Sequence, residues 1–232
     1  MIELLQFKPA FGLMNASPFC MKVEVFLRLA GLEYRCVDGQ MPMGTPKGKL
    51  PVLRDGDALV ADSQAIVEHL QRRHGERMPA ALRAPDSPQG LALRRMLEEH
   101  TYFTALWLRW VDDAGWRLTA PAFFGHLPWP LRHLAPALVR HKMRRDLVGQ
   151  GMGRHSRDEI CARAIADLHA LVGLLGDRPF FGGGEPRAVD ATAYAFLANL
   201  LWTPFDHPVR ATGLRMPTLL AYAERMDARI GR

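Results

Sequence analysis

Ser17 and Cys20 lie three residues apart in the stretch ASPFCMKVEVFLRLAG, residues 16–31, at the start of an apolar-periodic segment. One brings a hydroxyl that can donate to an anion, the other a thiol whose ionised form is a nucleophile. A helix beginning here would add a positive end to that neighbourhood, because its first N–H groups have no partner within the helix. Taken alone, Ser17 reads as an N-cap ahead of Pro18 at the first helical position. Cys20, one turn further along, reads as a packed thiol, since unpaired cysteine is among the most buried residue types.

A second group of chemistry-bearing residues follows in PKGKLPVLRDGDALVADS, residues 46–63. Lys47 and Lys49 offer cations for a carboxylate. Pro51 opens a strand without a donor for the sheet ladder. Asp62 and Ser63 stand where the next helix begins. There a carboxylate can pair an ammonium, and a hydroxyl with free N–H groups can hold an anion. The same two residues also serve as helix caps.

Other chemistries find little support. Three cysteines, Cys20, Cys36 and Cys161, are too few and too widely spaced for a disulfide framework. There is no C-x-x-C pair and no H-E-x-x-H, and the nine histidines are scattered, so no metal is expected. The net charge of +6 is concentrated in residues 131–147. Without aromatic interleaving, that stretch reads as a solvated helix face and not as a nucleic-acid surface. No apolar run reaches membrane-spanning length. The start, MIELLQFKPAFG, lacks the layout of a secretory signal, so a cytoplasmic location is expected.

The elements that must position these residues follow from periodicity. IELLQF reads as a buried strand, and Val23, Phe26, Leu27 and Ala30 mark one face of a helix that Gly31 ends. LEYRCV reads as a second strand, and the Gly- and Pro-rich DGQMPMGTPKGK leaves no room for a helix. PVLR and ALVA flank DGD, which predicts a hairpin. A helix with Ile66, Val67 and Leu70 on one face runs from there to Gly75. This is an α/β unit over residues 1–75, followed by a proline-bearing linker over 76–88 and a helical region over 89–232. Within the latter, Leu93 to Trp110 predicts a long helix, and the prolines between Ala120 and Pro136 predict short pieces or loops. Ser156 and Glu159 form a capping box. AVDATAYAFLANLLW is apolar almost all round and predicts a central helix, and a last amphipathic helix spans about Thr218 to Ile230.

In order and spacing, ASPFCMKVEVFLRLAGLEY, PKGKLPVLRDGDALVADSQAIVEHL and PFFGGGEPRAVDATAYAFLANLLW resemble the glutathione transferase superfamily. The resemblance covers nearly the whole chain. SPFCMKVE, GMGRHSRDEI and VDATAYAFLANLLW are similar to its failed-axon-connections and metaxin-related branch, including bacterial members. The resemblance implies a thioredoxin-like N-terminal domain followed by an all-α C-terminal one. It implies glutathione as co-substrate, a homodimer and a role in detoxification. It also implies a cis bond between Leu50 and Pro51, with the Leu50 backbone holding the cysteinyl part of glutathione. Asp62 and Ser63 would hold the γ-glutamyl end and Lys49 the glycyl carboxylate, with Lys47 beside it. Ser17 would keep the sulfur as thiolate. Tyr102, Phe103, Trp107 and Trp110, on the first long helix of the second domain, would line the site of a small apolar electrophile. The family's serine or threonine three residues before Asp190 is Arg187 here, which leaves that cap one-sided.

Two readings follow. The first is a serine-type glutathione transferase that conjugates glutathione to, or uses it to reduce, a small apolar electrophile. The alternative is a non-catalytic, metaxin-like binding or adaptor protein with the same fold.

Overall fold

The computed structural model describes residues 1–231. Strand β1 (Ile2–Leu5) leads through an irregular loop to helix α1 (Pro18–Ala30) and strand β2 (Tyr34–Val37). Residues 38–51 form turns without a helix. Strands β3 (Val52–Asp55) and β4 (Ala58–Ala61) then make the hairpin that DGD predicts, with Gly56 at φ +62° in the turn. Helix α2 (Ser63–His74) completes the unit. The sheet order is β2-β1-β3-β4, with β1 parallel to β2 and the other two pairs antiparallel.

Helix α1 starts and stops where the sequence requires. Ser17 caps it, Pro18 opens it, and Gly31 ends it at φ +64°. Its burial exceeds an amphipathic pattern. Lys22 and Glu24 are buried along with Val23, Phe26 and Leu27, because α1 lies between the sheet and a helix of the C-terminal half.

The 76–88 segment carries a short helix, α3 (Ala80–Arg83), which buries Leu82; Met78 just before it is buried too. A rod then runs from α4 (Pro88–Met96) through a widened π turn at Leu97–Thr101 into α5 (Tyr102–Trp110). Thr101 supports that turn, donating to Asp167 Oδ2 at 2.7 Å. Helices α6 (Asp113–Phe124) and α7 (Leu131–Gln150) follow. They bear out the expected break between Ala120 and Pro136 in part: residues 125–130, which hold Pro128 and Pro130, separate the two helices, but the flanking stretches are long helices and not short pieces. Pro121 lies inside α6 and Pro136 inside α7. Each proline removes one intrahelical bond. Tertiary anchoring holds α7 nonetheless, because Arg140 donates to the carbonyls of Trp110 and Val111 at 3.2 and 2.8 Å and pairs with Asp113.

Helix α8 (Arg157–Leu175) opens on the Ser156–Glu159 capping box. Helix α9 (Ala188–Leu201) is buried at every position. Its Asp190 accepts from the backbone N–H groups of Phe181, Gly182 and Arg187 at 2.7, 2.9 and 2.9 Å. Arg187 contributes only backbone groups, its N–H to the carboxylate and its carbonyl to the Asp190 N–H at 3.0 Å, the one-sided cap the sequence predicts. Gly182 is required there, since a Cβ would fall 2.8 Å from the Asp190 carboxylate. Helices α10 (Pro208–Gly213) and α11 (Pro217–Ile230) close the chain. One hydrophobic core runs from Leu4 and Phe26 through Leu97 to Phe196 and Tyr222, so the two halves share their interior.

Candidate active site between the sheet and the helical half

The loop before α1 is built from side-chain bonds. Asn15 donates to the Phe7 carbonyl at 2.7 Å and accepts from the Ser17 N–H at 3.0 Å. Ser17 is half-buried, and its Oγ accepts from the Cys20 N–H at 3.4 Å. The same hydroxyl also lies within hydrogen-bond reach of the Cys20 thiol, so donating to a thiolate requires it to turn from that partner. Cys20 is fully buried among Leu50, Val52 and Ala61. Burial pushes its thiol up to about 12, so it stays neutral and packed.

The Leu50–Pro51 bond is cis. Leu50 is buried, and the loop before it is tied by Thr45, whose hydroxyl meets the carbonyls of Pro42 and Lys49 at 2.7 and 3.0 Å. Asp62 begins α2 at φ +93°, a conformation that costs a non-glycine residue about 1–3 kcal/mol. Its Oδ1 accepts from the N–H groups of Gln64 and Ala65, both at 3.0 Å. Strain of this kind tends to mark sites where geometry serves a ligand.

A cavity of about 500 Å³ opens beside this helix end. Lys47, Asp62 and Ser63 line it from the sheet side, and Tyr102 and Phe103 from α5. Phe19 joins them, its ring 4.9 Å from that of Tyr102. The cavity therefore joins a charged end to an aromatic one. Of the two lysines, Lys47 lies in the lining; Lys49 is exposed on the loop, and its charge is felt by Asp146 on α7. Ser17, Leu50 and Pro51 stand outside the lining, at the mouth of α1 and the end of the adjoining loop. Trp107 and Trp110 also lie away from it. Trp107 packs onto the core, and Trp110 stacks with Trp116 and Phe123 at 6.0 and 5.6 Å between α5 and α6.

Sequence reasoning missed the polar floor of the cavity. Lys22 is fully buried and donates to Glu98 at 2.7 Å and to Gln64 at 2.9 Å. Arg94 donates to Asp86 at 3.1 Å and to Glu98 at 3.4 Å. This chain of charges joins α1 and α2 to the α4–α5 rod, and Gln64, Arg94 and Glu98 all reach the cavity. Lys22 could have been noticed, because with Glu24 it places charge among the apolar residues of α1. Its partner, 76 residues away, could not.

Comparison with known proteins agrees with this architecture. The glutathione S-transferase N-terminal domain family model matches residues 18–115, and the glutathione S-transferase C-terminal domain model matches residues 164–226. An isoprene-epoxide glutathione S-transferase from Rhodococcus sp. (strain AD45) is 32% identical, with 97% of this chain and 98% of that protein covered. Failed axon connections from Drosophila melanogaster is 30% identical over 97% of this chain and 57% of that protein. Human metaxin-2 is 22% identical over 93% and 82%. Among solved structures, a beta-etherase from Sphingobium sp. strain SYK-6 shares the fold at a TM-score of 0.64, with 16% identity and 99% and 97% coverage. The thioredoxin-like sheet, the all-helical second half and a relative similar from end to end lead to one conclusion: the chain belongs to the glutathione S-transferase family.

Proposed function

We propose that this protein is a glutathione transferase that binds glutathione along the Leu50–Pro51 and Asp62–Ser63 edge, with the sulfur at Ser17. One observation carries the reading: Asp62, Ser63 and Lys47 share a cavity with Tyr102 and Phe103. The charged end suits the tripeptide, and the aromatic end suits a small apolar electrophile. Asp62 pairs the γ-glutamyl ammonium, and Ser63, through its hydroxyl and its own N–H, holds the adjoining carboxylate. The Leu50 backbone holds the cysteinyl part. Lys47 replaces Lys49 as the first choice for the glycyl carboxylate, because it faces the cavity. The Ser17 hydroxyl donates to the sulfur and, with the positive end of α1, favours its ionised form. The thiolate then attacks the electrophile's carbon, forming the S–C bond as the leaving group or the opened ring oxygen departs with the electron pair.

In this reading residues 1–75 bind glutathione, 76–88 connect, and 89–232 supply the electrophile site. A cytoplasmic homodimer acting in detoxification fits the family. Turnover of an aryl halide with glutathione, before and after Ser17→Ala, tests the role of Ser17. A drop of tenfold or more supports it, and an unchanged rate removes Ser17 from the chemistry.

A second reading, a binding or adaptor protein without turnover, draws on the helix-free turns at 38–51 and the similarity to metaxin-2. It predicts that millimolar glutathione leaves the melting temperature unchanged, whereas a ligand of the native state raises it.

A further inference from the structure

Arg109 is a buried cation beside this site with no counter-charge among the described residues. It belongs to α5, and its side chain reaches across to the loop before α1. One terminal nitrogen donates to the carbonyl of Ala16, the residue preceding Ser17. The other donates to the backbone and side-chain oxygens of Asn199 on α9, at 3.3 and 3.1 Å. The rings of Phe11 and Phe205 face it at 5.6 and 5.4 Å. Its Nε is buried with no acceptor. The other two buried cations among the described residues, Lys22 and Arg94, each touch a carboxylate. Burial lowers the Arg109 pKa to about 10, and no carboxylate among the described residues pairs with it.

A buried cation without a carboxylate is unfavourable, and the bonds to Ala16 and Asn199 offset only part of that cost. Its position one peptide away from Ser17 suggests what completes it. We infer that Arg109 is a positioning residue whose counter-charge is the bound thiolate: it fixes the Ala16–Ser17 peptide and favours the ionised sulfur through space. This rests on the glutathione reading above. Standard bond lengths put the guanidinium roughly 7 Å from the Ser17 hydroxyl. A sulfur bonded to that hydroxyl lies further off, roughly 10 Å from the guanidinium, and at an effective dielectric constant of about 20 a unit charge there shifts a thiol by about 1 pH unit.

The other groups around the sulfur position are Cys20 in α1, Tyr102 in α5, Glu24 and Asp38 acting through Cys20, and Asp62 and Lys47 at the cavity. Burial raises the pKa of both Cys20 and Tyr102, so neither loses its proton near neutral pH. A titration in that range therefore reports glutathione.

The test is the thiolate absorbance of glutathione bound to the full chain, followed against pH. Arg109→Gln is expected to raise the apparent thiol pKa by about one pH unit, and Arg109→Lys to restore it to within a few tenths. Should Arg109→Gln fail to fold, Ser17→Ala decides: with Arg109 still in place, the bound thiol must ionise at lower pH than free glutathione. An unmoved profile in Arg109→Gln, or a thiol in Ser17→Ala that titrates like free glutathione, overturns the inference and leaves the glutathione reading intact. No binding of glutathione by the unaltered protein overturns both, and shows itself as the absence of any protein-dependent signal.

Discussion

Removing Glu98 and removing Lys22 should have unequal effects, and the structure sets the order. Lys22 is 1% exposed and Glu98 7%, so both charges lie in the interior. In Lys22→Met, Glu98 keeps a second cation, Arg94, at 3.4 Å. In Glu98→Gln, Lys22 retains the neutral oxygen of Gln64 at 2.9 Å and no carboxylate. Burial already depresses the Lys22 pKa, with Glu98 opposing the fall. Without Glu98 the amine sheds its proton, and that release limits the damage. Deprotonating a lysine with an ordinary pKa of about 10.4 at pH 7 costs about 4.6 kcal/mol. Glu98→Gln is therefore expected to cost about 3–4.6 kcal/mol, and Lys22→Met about 1–3 kcal/mol. The sign of the pH dependence follows. The unfolded chain holds a proton that folded Glu98→Gln lacks. The mutant's stability relative to the parent then rises with pH by up to about 1.4 kcal/mol per unit between the depressed pKa and about 10.4. Urea denaturation of the three proteins at pH 7 and pH 9 measures both effects. Equal costs for the two substitutions, or a Glu98→Gln deficit that does not shrink at pH 9, would refute the reasoning.

His207 and Asp190 give two further predictions. Burial pushes His207 down to about 4, and its neutral Nδ1 caps α10 by accepting from the Arg210 N–H at 3.0 Å. A depressed folded pKa gives stability that is present above the unfolded value of about 6.5 and lost as the pH falls toward 4. Between pH 7 and pH 4.5 the loss is roughly 2.5 kcal/mol. His207→Asn keeps a capping oxygen and should remove that part of the acid sensitivity in parallel urea titrations; an identical pH profile in both proteins counts against it. Asp190→Ala strands the buried N–H of Phe181 and the half-buried ones of Gly182 and Arg187, so a loss of about 2–4 kcal/mol is expected by chemical denaturation. A change under about 1 kcal/mol would show that the cap at α9 matters little.

Local signals carried far along this chain. Ser17–Pro18 and Gly31 bound α1, DGD turns the hairpin, Ser156 and Glu159 open α8, and the all-apolar run becomes the central α9. Each depends on neighbours within a few residues. What escaped depends on distant ones. The prolines of α6 and α7 argued for breaks, and the anchoring of Arg140 against α5 overrode them. Helical spacing placed Trp107 and Trp110 in one aromatic stripe with Tyr102 and Phe103. The packing of α6 and α7 on α5 drew the two tryptophans away from the cavity. Lys47 and Lys49 are equivalent in sequence, and loop geometry alone separates them. The Lys22–Glu98 pair and the bond from Arg109 to Ala16 span 76 and 93 residues, beyond the reach of any local pattern.

A crystal structure of the protein grown with glutathione tests the central claim most directly. The account predicts the γ-glutamyl ammonium on the Asp62 carboxylate, the cysteinyl amide against the Leu50 backbone, and the sulfur within hydrogen-bond distance of the Ser17 hydroxyl. Glutathione bound elsewhere, or a sulfur turned away from the start of α1, would contradict it.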